Sequence, residues 1–189
     1  MSETDDVELM RLAGRGDERA FEQLIERHQN LVIGTVAKML GGFEGAEDIA
    51  QQVFVRAWQS APRYRPEAKF TTWLLTIARN LVFNESRRRR RGFFQPFEND
   101  DGSVMDIRDD SGRDAATALS QRETQQAVDA AITALPEAQR MAIVLRRFEA
   151  MPYEDIAVVL KTSVPAVKSL LFRAREDLRE RLKGVLVEG

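Results

Sequence analysis

The stretch Tyr153–Leu182, YEDIAVVLKTSVPAVKSLLFRAREDLRERL, decides how this chain is read. Tyr153, Ile156, Ala157 and Leu160 fall at i, i+3, i+4 and i+7, which predicts an amphipathic helix with one apolar stripe. Lys161, Thr162 and Ser163 interrupt the pattern, and Ser163 is a good N-cap for a second helix with Pro165 in its first turn. In that second helix Val164, Val167, Leu171, Ala174 and Leu178 fall in one narrow sector. Lys168, Ser169, Phe172 and Arg173 project from the opposite side. Such a face offers cations for guanine edges or phosphates, a hydroxyl, and a ring for a thymine methyl, as a helix entering a DNA major groove requires. An ordinary helical hairpin with a solvated charged face fits the periodicity equally well, so the rest of the chain must decide.

Composition narrows the field. The chain has 189 residues, 43% hydrophobic and 31% charged, which suits one large or two small soluble helical domains. No apolar run is long enough for a membrane span, and the acidic start MSETDDVE lacks the basic and apolar regions of a signal peptide. Zero cysteines exclude disulfides and thiolate metal sites and fit a reducing cytoplasm. The one histidine, His28, lies on or near an apolar helix face and is expected to be a core residue. Gly-rich phosphate loops, metal-ligand clusters and nucleophile–base pairs are not visible, so no catalytic residue, cofactor or metal is expected.

The net charge of −2 looks unsuited to a nucleic-acid binder until its distribution is considered. Arg79 to Arg91 holds six basic residues against one acid, Glu85, whereas Glu98 to Asp114 holds seven acids against two arginines. Charge is sorted along the chain, so a local basic patch coexists with an acidic total.

Residues 5–40 predict two helices broken by Gly14-Arg15-Gly16-Asp17, the second stopped by Gly41-Gly42. Ala46 to Gln59 predicts a third, with Ala46, Ile49, Ala50, Val53, Phe54 and Ala57 inward. Asp48, Gln51, Gln52, Val55 and Trp58 are placed outward, and Trp58 there either marks a partner surface or folds back on its own domain. Pro62 and Pro66 make 60–69 a loop carrying Tyr64 and Arg65. A fourth helix is predicted from Phe70 to Arg90, with Phe70, Leu74, Ile77, Ala78 and Leu81 inward. Thr72, Leu75, Thr76, Arg79, Asn80 and Phe83 are placed on its other side. Its end, Arg87–Arg91, exceeds what a helix dipole requires and favours phosphate contact.

Periodicity then disappears from Gly92 to about Ala118, an acidic stretch with Gly, Pro, Ser and Asn that reads as a flexible linker. Phe93, Phe94 and Phe97 stand out in such a tether and suggest that its start docks on something. Helices resume at Ala118–Leu135 and 136–149, and the hairpin completes a C-terminal four-helix domain. The expected fold is therefore all-α: helical domains at 1–92 and 119–189, joined by a linker at 93–118.

AEDIAQQVFVRAW, FTTWLLTIARN with its basic end, an acidic linker, then LPEAQRMAIVLRRFEAMPYEDIA and SVPAVKSLLFRAR follow one another in order. This order resembles that of the bacterial extracytoplasmic-function (group IV) sigma factors, the two-domain promoter-specificity subunits of RNA polymerase. The resemblance covers nearly the whole chain outside the linker. It implies a sigma-2-like first domain, a sigma-4-like helix-turn-helix second domain, and binding to core RNA polymerase and promoter DNA. It also implies a cognate anti-sigma factor and a cytoplasmic location. By resemblance, Asp48, Gln51, Gln52 and Val55 would contact the polymerase. Tyr64, Lys69, Asn80, Asn84, Arg87 and Arg88 would read, open and grip the −10 element. Lys168, Ser169, Phe172 and Arg173 would read the −35 element. Four departures touch caps and contacts: Gln52 stands where Glu is usual, Pro152 for a Ser or Thr cap, Lys161 for a turn Gly, and Pro165-Ala166 for small residues. Two other readings remain open: a sigma-like mimic that sequesters an anti-sigma factor, and a helix-turn-helix repressor using only residues 119–185.

Overall fold

The computed structural model describes residues 3–92 and 115–183, and among these the chain is helical with no strand. In chain order the helices are α1 (Glu3–Ala13), α2 (Glu18–Leu40), α3 (Ala46–Ser60), α4 (Phe70–Gly92), α5 (Ala115–Thr133), α6 (Glu137–Arg147), α7 (Tyr153–Leu160) and α8 (Val164–Leu182). The all-α expectation holds. Within the segment expected to be a loop, Ala61–Arg63 forms one 3₁₀ turn before Pro66. Helix α5 begins at Ala115, inside the expected linker, while Phe93, Phe94, Phe97 and the acidic run to Asp114 lie outside the described residues.

Helix ends follow local chemistry. The Asp17 side chain accepts the Ala20 N–H at 3.1 Å and starts α2. Gly41, at φ 83°, closes α2 by donating to Ala37 O at 2.9 Å, and Gly42 N–H reaches the same carbonyl at 3.0 Å. Helix α7 ends the same way without a glycine. Lys161 takes φ 54° and ψ 50°, and Thr162 N–H donates to Ala157 O at 2.9 Å. An L side chain in that left-handed region is strained. Lys161→Gly is therefore expected to raise stability by ~0.5–1 kcal/mol despite glycine's greater freedom in the unfolded chain. Scanning calorimetry checks this, and a lowered melting temperature would show that the lysine makes a compensating contact. At the other end of α7, Pro152 supplies no side-chain cap. Ser163 caps α8, its hydroxyl accepting the Ala166 N–H at 3.4 Å.

The N-terminal helices pack around Leu24, Val32, Val36, Met39, Val53 and Leu74, all 0% exposed. Asp6, only 9% exposed, fastens α1 to α2 by accepting from Arg27 Nη1 at 3.0 Å and meeting His28 Nε2 at 3.0 Å. The His28 ring lies 5.1 Å from Phe70, so the histidine is a half-buried, partnered residue at the edge of the core. The C-terminal helices pack around Met141, Val144, Leu145, Ile156, Val159, Val167 and Leu171. Burying each side chain of this size contributes ~1.5–3 kcal/mol. The two sets join in one continuous core, because α7 lies along α4 and α6 lies against α2.

That contact revises one expectation about faces. Thr72, Leu75 and Phe83, placed outward by periodicity, are 0%, 1% and 8% exposed. Spaced at i, i+3 and i+11, they share the side of α4 from which Arg79 donates to Leu160 O of α7 at 3.5 Å. Of the two readings of Trp58, the structure takes the second: it folds back on its own half, half-buried with its ring 5.2 Å from Phe21.

Candidate functional site

The residues singled out from sequence fall on three surfaces. On α8, Val167, Leu171 and Ala174 are buried against the neighbouring helices, so Lys168, Ser169, Phe172 and Arg173 face solvent. Phe172 is 64% exposed. A ring left that open lacks the burial that would stabilise it in the free chain, which marks a contact surface. The three-residue turn Lys161–Ser163 and the Ser163 cap fix the direction in which this face points.

On α3, Ile49, Ala50, Val53, Phe54 and Ala57 are buried. Asp48, Gln51, Gln52 and Val55, at i, i+3, i+4 and i+7, are all exposed and form one strip. Val55, 54% exposed, is the apolar centre of a polar strip, a pattern suited to a protein partner.

The third surface is the loop before α4 and the helix itself. Tyr64 is half-buried in an aromatic group, 4.9 Å from Trp73 and 6.2 Å from Phe70, with Phe70 and Trp73 5.8 Å apart. The Lys69 ammonium lies 3.9 Å from the Asp155 carboxylate of α7. Asn80 is half-buried and accepts from Arg79 Nη1 at 2.9 Å. Asn84 and Arg87 are exposed. Arg88 is committed to Glu85 through two hydrogen bonds of 2.8 and 3.0 Å, and Arg89 Nε donates to the same carboxylate at 3.0 Å. The Arg88 hydrogen bond holds the Glu85 carboxyl below its ordinary value, against the opposing effect of burial. The basic end of α4 is thus partly neutralised within one turn, while Arg87, Arg88, Arg89 and Arg91 all stay exposed.

Residues without a predicted role line the junction between the halves. Arg79 lies over the Phe83 ring at 4.7 Å while donating across to α7. Thr35 Oγ1 of α2 donates to Glu149 Oε1 at 3.2 Å, and Lys38 Nζ sits 4.8 Å over the Phe148 ring. Burial pushes the Glu149 carboxyl up, with the Thr35 hydrogen bond and the Lys38 charge opposing it. Arg140 of α6 donates to Met39 O of α2 and to Thr133 O and Leu135 O behind α5. Partners this far apart in sequence leave no periodic trace.

Comparisons with known proteins bear on these surfaces. Residues 24–92 match the family described as Sigma-70 region 2, and residues 125–178 match Sigma-70, region 4. The RNA polymerase sigma-H factor of Pseudomonas aeruginosa is 32% identical over 100% of this chain and 99% of its own. The ECF RNA polymerase sigma-E factor of Escherichia coli (strain K12) is 30% identical over 97% of this chain and 96% of its own. Among solved structures, CnrH in complex with the cytosolic domain of CnrY superimposes with a TM-score of 0.68 at 26% identity, over 95% of this chain and 98% of that one. The sigma factor RpoE bound to the anti-sigma factor NepR, from Bartonella quintana, shares the fold with a TM-score of 0.68 at 24% identity, over 86% and 96% of the two chains.

Proposed function

This chain belongs to the extracytoplasmic-function sigma factors of RNA polymerase, and from that premise we propose how its three surfaces divide the work of promoter-specific initiation. The strip Asp48, Gln51, Gln52 and Val55 on α3 docks on the core polymerase. The segment 64–69 and α4 bind the −10 element, with Tyr64, Lys69, Asn80, Asn84, Arg87 and Arg88 holding an extruded base and the phosphates beside it. The outward quartet of α8, Lys168, Ser169, Phe172 and Arg173, reads the −35 element in the major groove.

The observation that carries this reading is the two-sidedness of α8. It is a capped helix seated by a buried stripe, with two cations, a hydroxyl and a 64%-exposed ring on its free side. No covalent change is assigned to the chain: the polymerase makes the phosphodiester bonds, and the sigma factor supplies binding energy. Stacking of an extruded base contributes ~1–3 kcal/mol, against an unstacking cost of a few kcal/mol. Arginine–phosphate contacts add a salt-sensitive share that is blind to sequence. Each half binds DNA weakly alone, and holding both on one polymerase raises their effective concentration. The protein works in the cytoplasm, beside polymerase and chromosome. A cognate anti-sigma factor restrains it by covering the α3 strip or wedging between the halves.

Run-off transcription with purified core polymerase tests the reading. Addition of this chain is expected to yield discrete start sites preceded by two shared sequence elements. Core enzyme that produces no specific start on any genomic template in its presence would overturn it.

A further inference from the structure

Among the described residues, two other than glycine take a positive φ: Ala150 at 50° and Lys161 at 54°. Ala150 lies between α6 and α7, and Lys161 between α7 and α8. The alanine shows that this fold tolerates such strain, so strain alone assigns no role. What differs is the side chain. Lys161 brings a charge to its strained position, it is exposed, and among the described residues its ammonium forms no ion pair. Nothing within the chain offsets its backbone strain, so the compensation lies in what the chain binds.

The position of that charge is specific. In a helix-turn-helix the first helix crosses the DNA backbone, and the N-terminal end of the second meets base edges. Lys161 closes α7 and Ser163 caps α8, so the lysine stands at the joint, beside the strand that α7 crosses and short of the bases. The grip that a helix N-terminus ordinarily gives a phosphate is mostly missing here, because α8 has few free amides to offer. Pro165 has no N–H, Ala166 N–H goes to Ser163 Oγ at 3.4 Å, and Val167 N–H donates to Ser163 O at 3.0 Å. Side chains do not replace them: Val164 to Val167 are all apolar, and the first cation on the helix is Lys168.

We propose that Lys161 is a phosphate clamp of this chain's −35 complex, holding the DNA backbone where α7 crosses it and taking the place of the occupied amides of α8. The proposal rests on the assignment of α8 to the −35 element and adds a contact that the outward quartet does not contain. Lys161 reads no base. It fixes how α8 sits in the groove, so that Lys168, Ser169, Phe172 and Arg173 meet the base edges in register. One side chain thereby serves two opposed ends: in the free chain it holds a strained turn, and on DNA it supplies charge. A glycine there relaxes the turn and loses the clamp.

The experiment uses holoenzyme assembled from core polymerase and the full chain, on a duplex promoter mapped by run-off transcription. Affinity is measured against salt for the parent, Lys161→Gly, Lys161→Arg and Ala150→Gly. At about 0.1 M salt Lys161→Gly is expected to bind roughly five- to tenfold more weakly, with the slope of log K against log salt reduced by about 0.9, as loss of one phosphate contact requires. The loss should be the same on every single-base variant of the −35 element. Lys161→Arg keeps the charge and should keep the parent's affinity and slope. Ala150→Gly relieves the same kind of backbone strain without removing a charge, and should leave both unchanged. Unchanged affinity and slope in Lys161→Gly overturn the clamp. So does a loss confined to one base pair, which makes the lysine a base reader, and so does an equal loss in Ala150→Gly, which makes turn geometry the cause. A promoter with a scrambled −35 element separates these results from failure of the −35 assignment. In that case the parent binds scrambled and intact promoters alike, and the clamp falls with the assignment.

Discussion

Phe70→Ala is expected to lower folding stability by ~3–5 kcal/mol, a large fraction of what a domain of this kind possesses. Phe70 is the first residue of α4 and 1% exposed. Its ring touches elements from three parts of the chain: His28 of α2 at 5.1 Å, Tyr64 of the preceding loop at 6.2 Å and Trp73 of α4 at 5.8 Å. Removing it leaves a cavity lined by rings, which relax less readily than a methionine-rich pocket. The loss also reaches the proposed −10 site, since Tyr64 keeps Trp73 as a neighbour but loses its contact with the Phe70 ring. Urea unfolding followed by tryptophan fluorescence gives the stability change. Phe172→Ala serves as the control, for a 64%-exposed ring should move the midpoint by no more than ~0.5 kcal/mol. Equal effects of the two substitutions would mean that the Phe70 ring is not in the core.

Arg173→Ala should weaken use of a cognate promoter by ~1–3 kcal/mol, roughly 5- to 150-fold, without loss of stability. Its guanidinium projects from the free face of α8, so the folded chain loses little when it is removed. The informative readout is the pattern across promoter variants. A bidentate contact to a guanine edge predicts relaxed selection at one base pair of the −35 element, with neighbouring positions still discriminated. A uniform loss over all sequences, with a salt slope reduced by about one, would make Arg173 a phosphate contact instead.

Both predictions rest on features that sequence periodicity reaches well. The stripes of α3 and α8 each have one buried side, and the residues assigned outward on them, Asp48, Gln51, Gln52, Val55, Lys168, Ser169, Phe172 and Arg173, are all exposed. Helix α4 behaved differently for a physical reason. It is buried on two sides, by its own half and by α7, so its apolar positions spread over more than one stripe and a one-sided pattern misplaces Thr72, Leu75 and Phe83. Trp58, for which periodicity left two readings open, takes the second: its long side chain folds back to Phe21 of its own half. Lys161 was legible as a departure at a turn, though only the backbone shows that it carries a positive φ.

The junction between the halves has a consequence for how the chain comes into being on the ribosome. Met39 and Thr35 wait for Arg140 and Glu149, residues more than a hundred places later in the chain. At translation rates of ~5–20 residues per second, several seconds separate the appearance of the two sides. During that interval the nascent N-terminal helices can assemble around Leu24, Val53 and Leu74, but the stripe of Leu75 and Phe83 has nothing to lie against. An apolar strip open for seconds is a natural substrate for chaperones and a route to aggregation. A chain cut short before α7 would keep that strip exposed permanently.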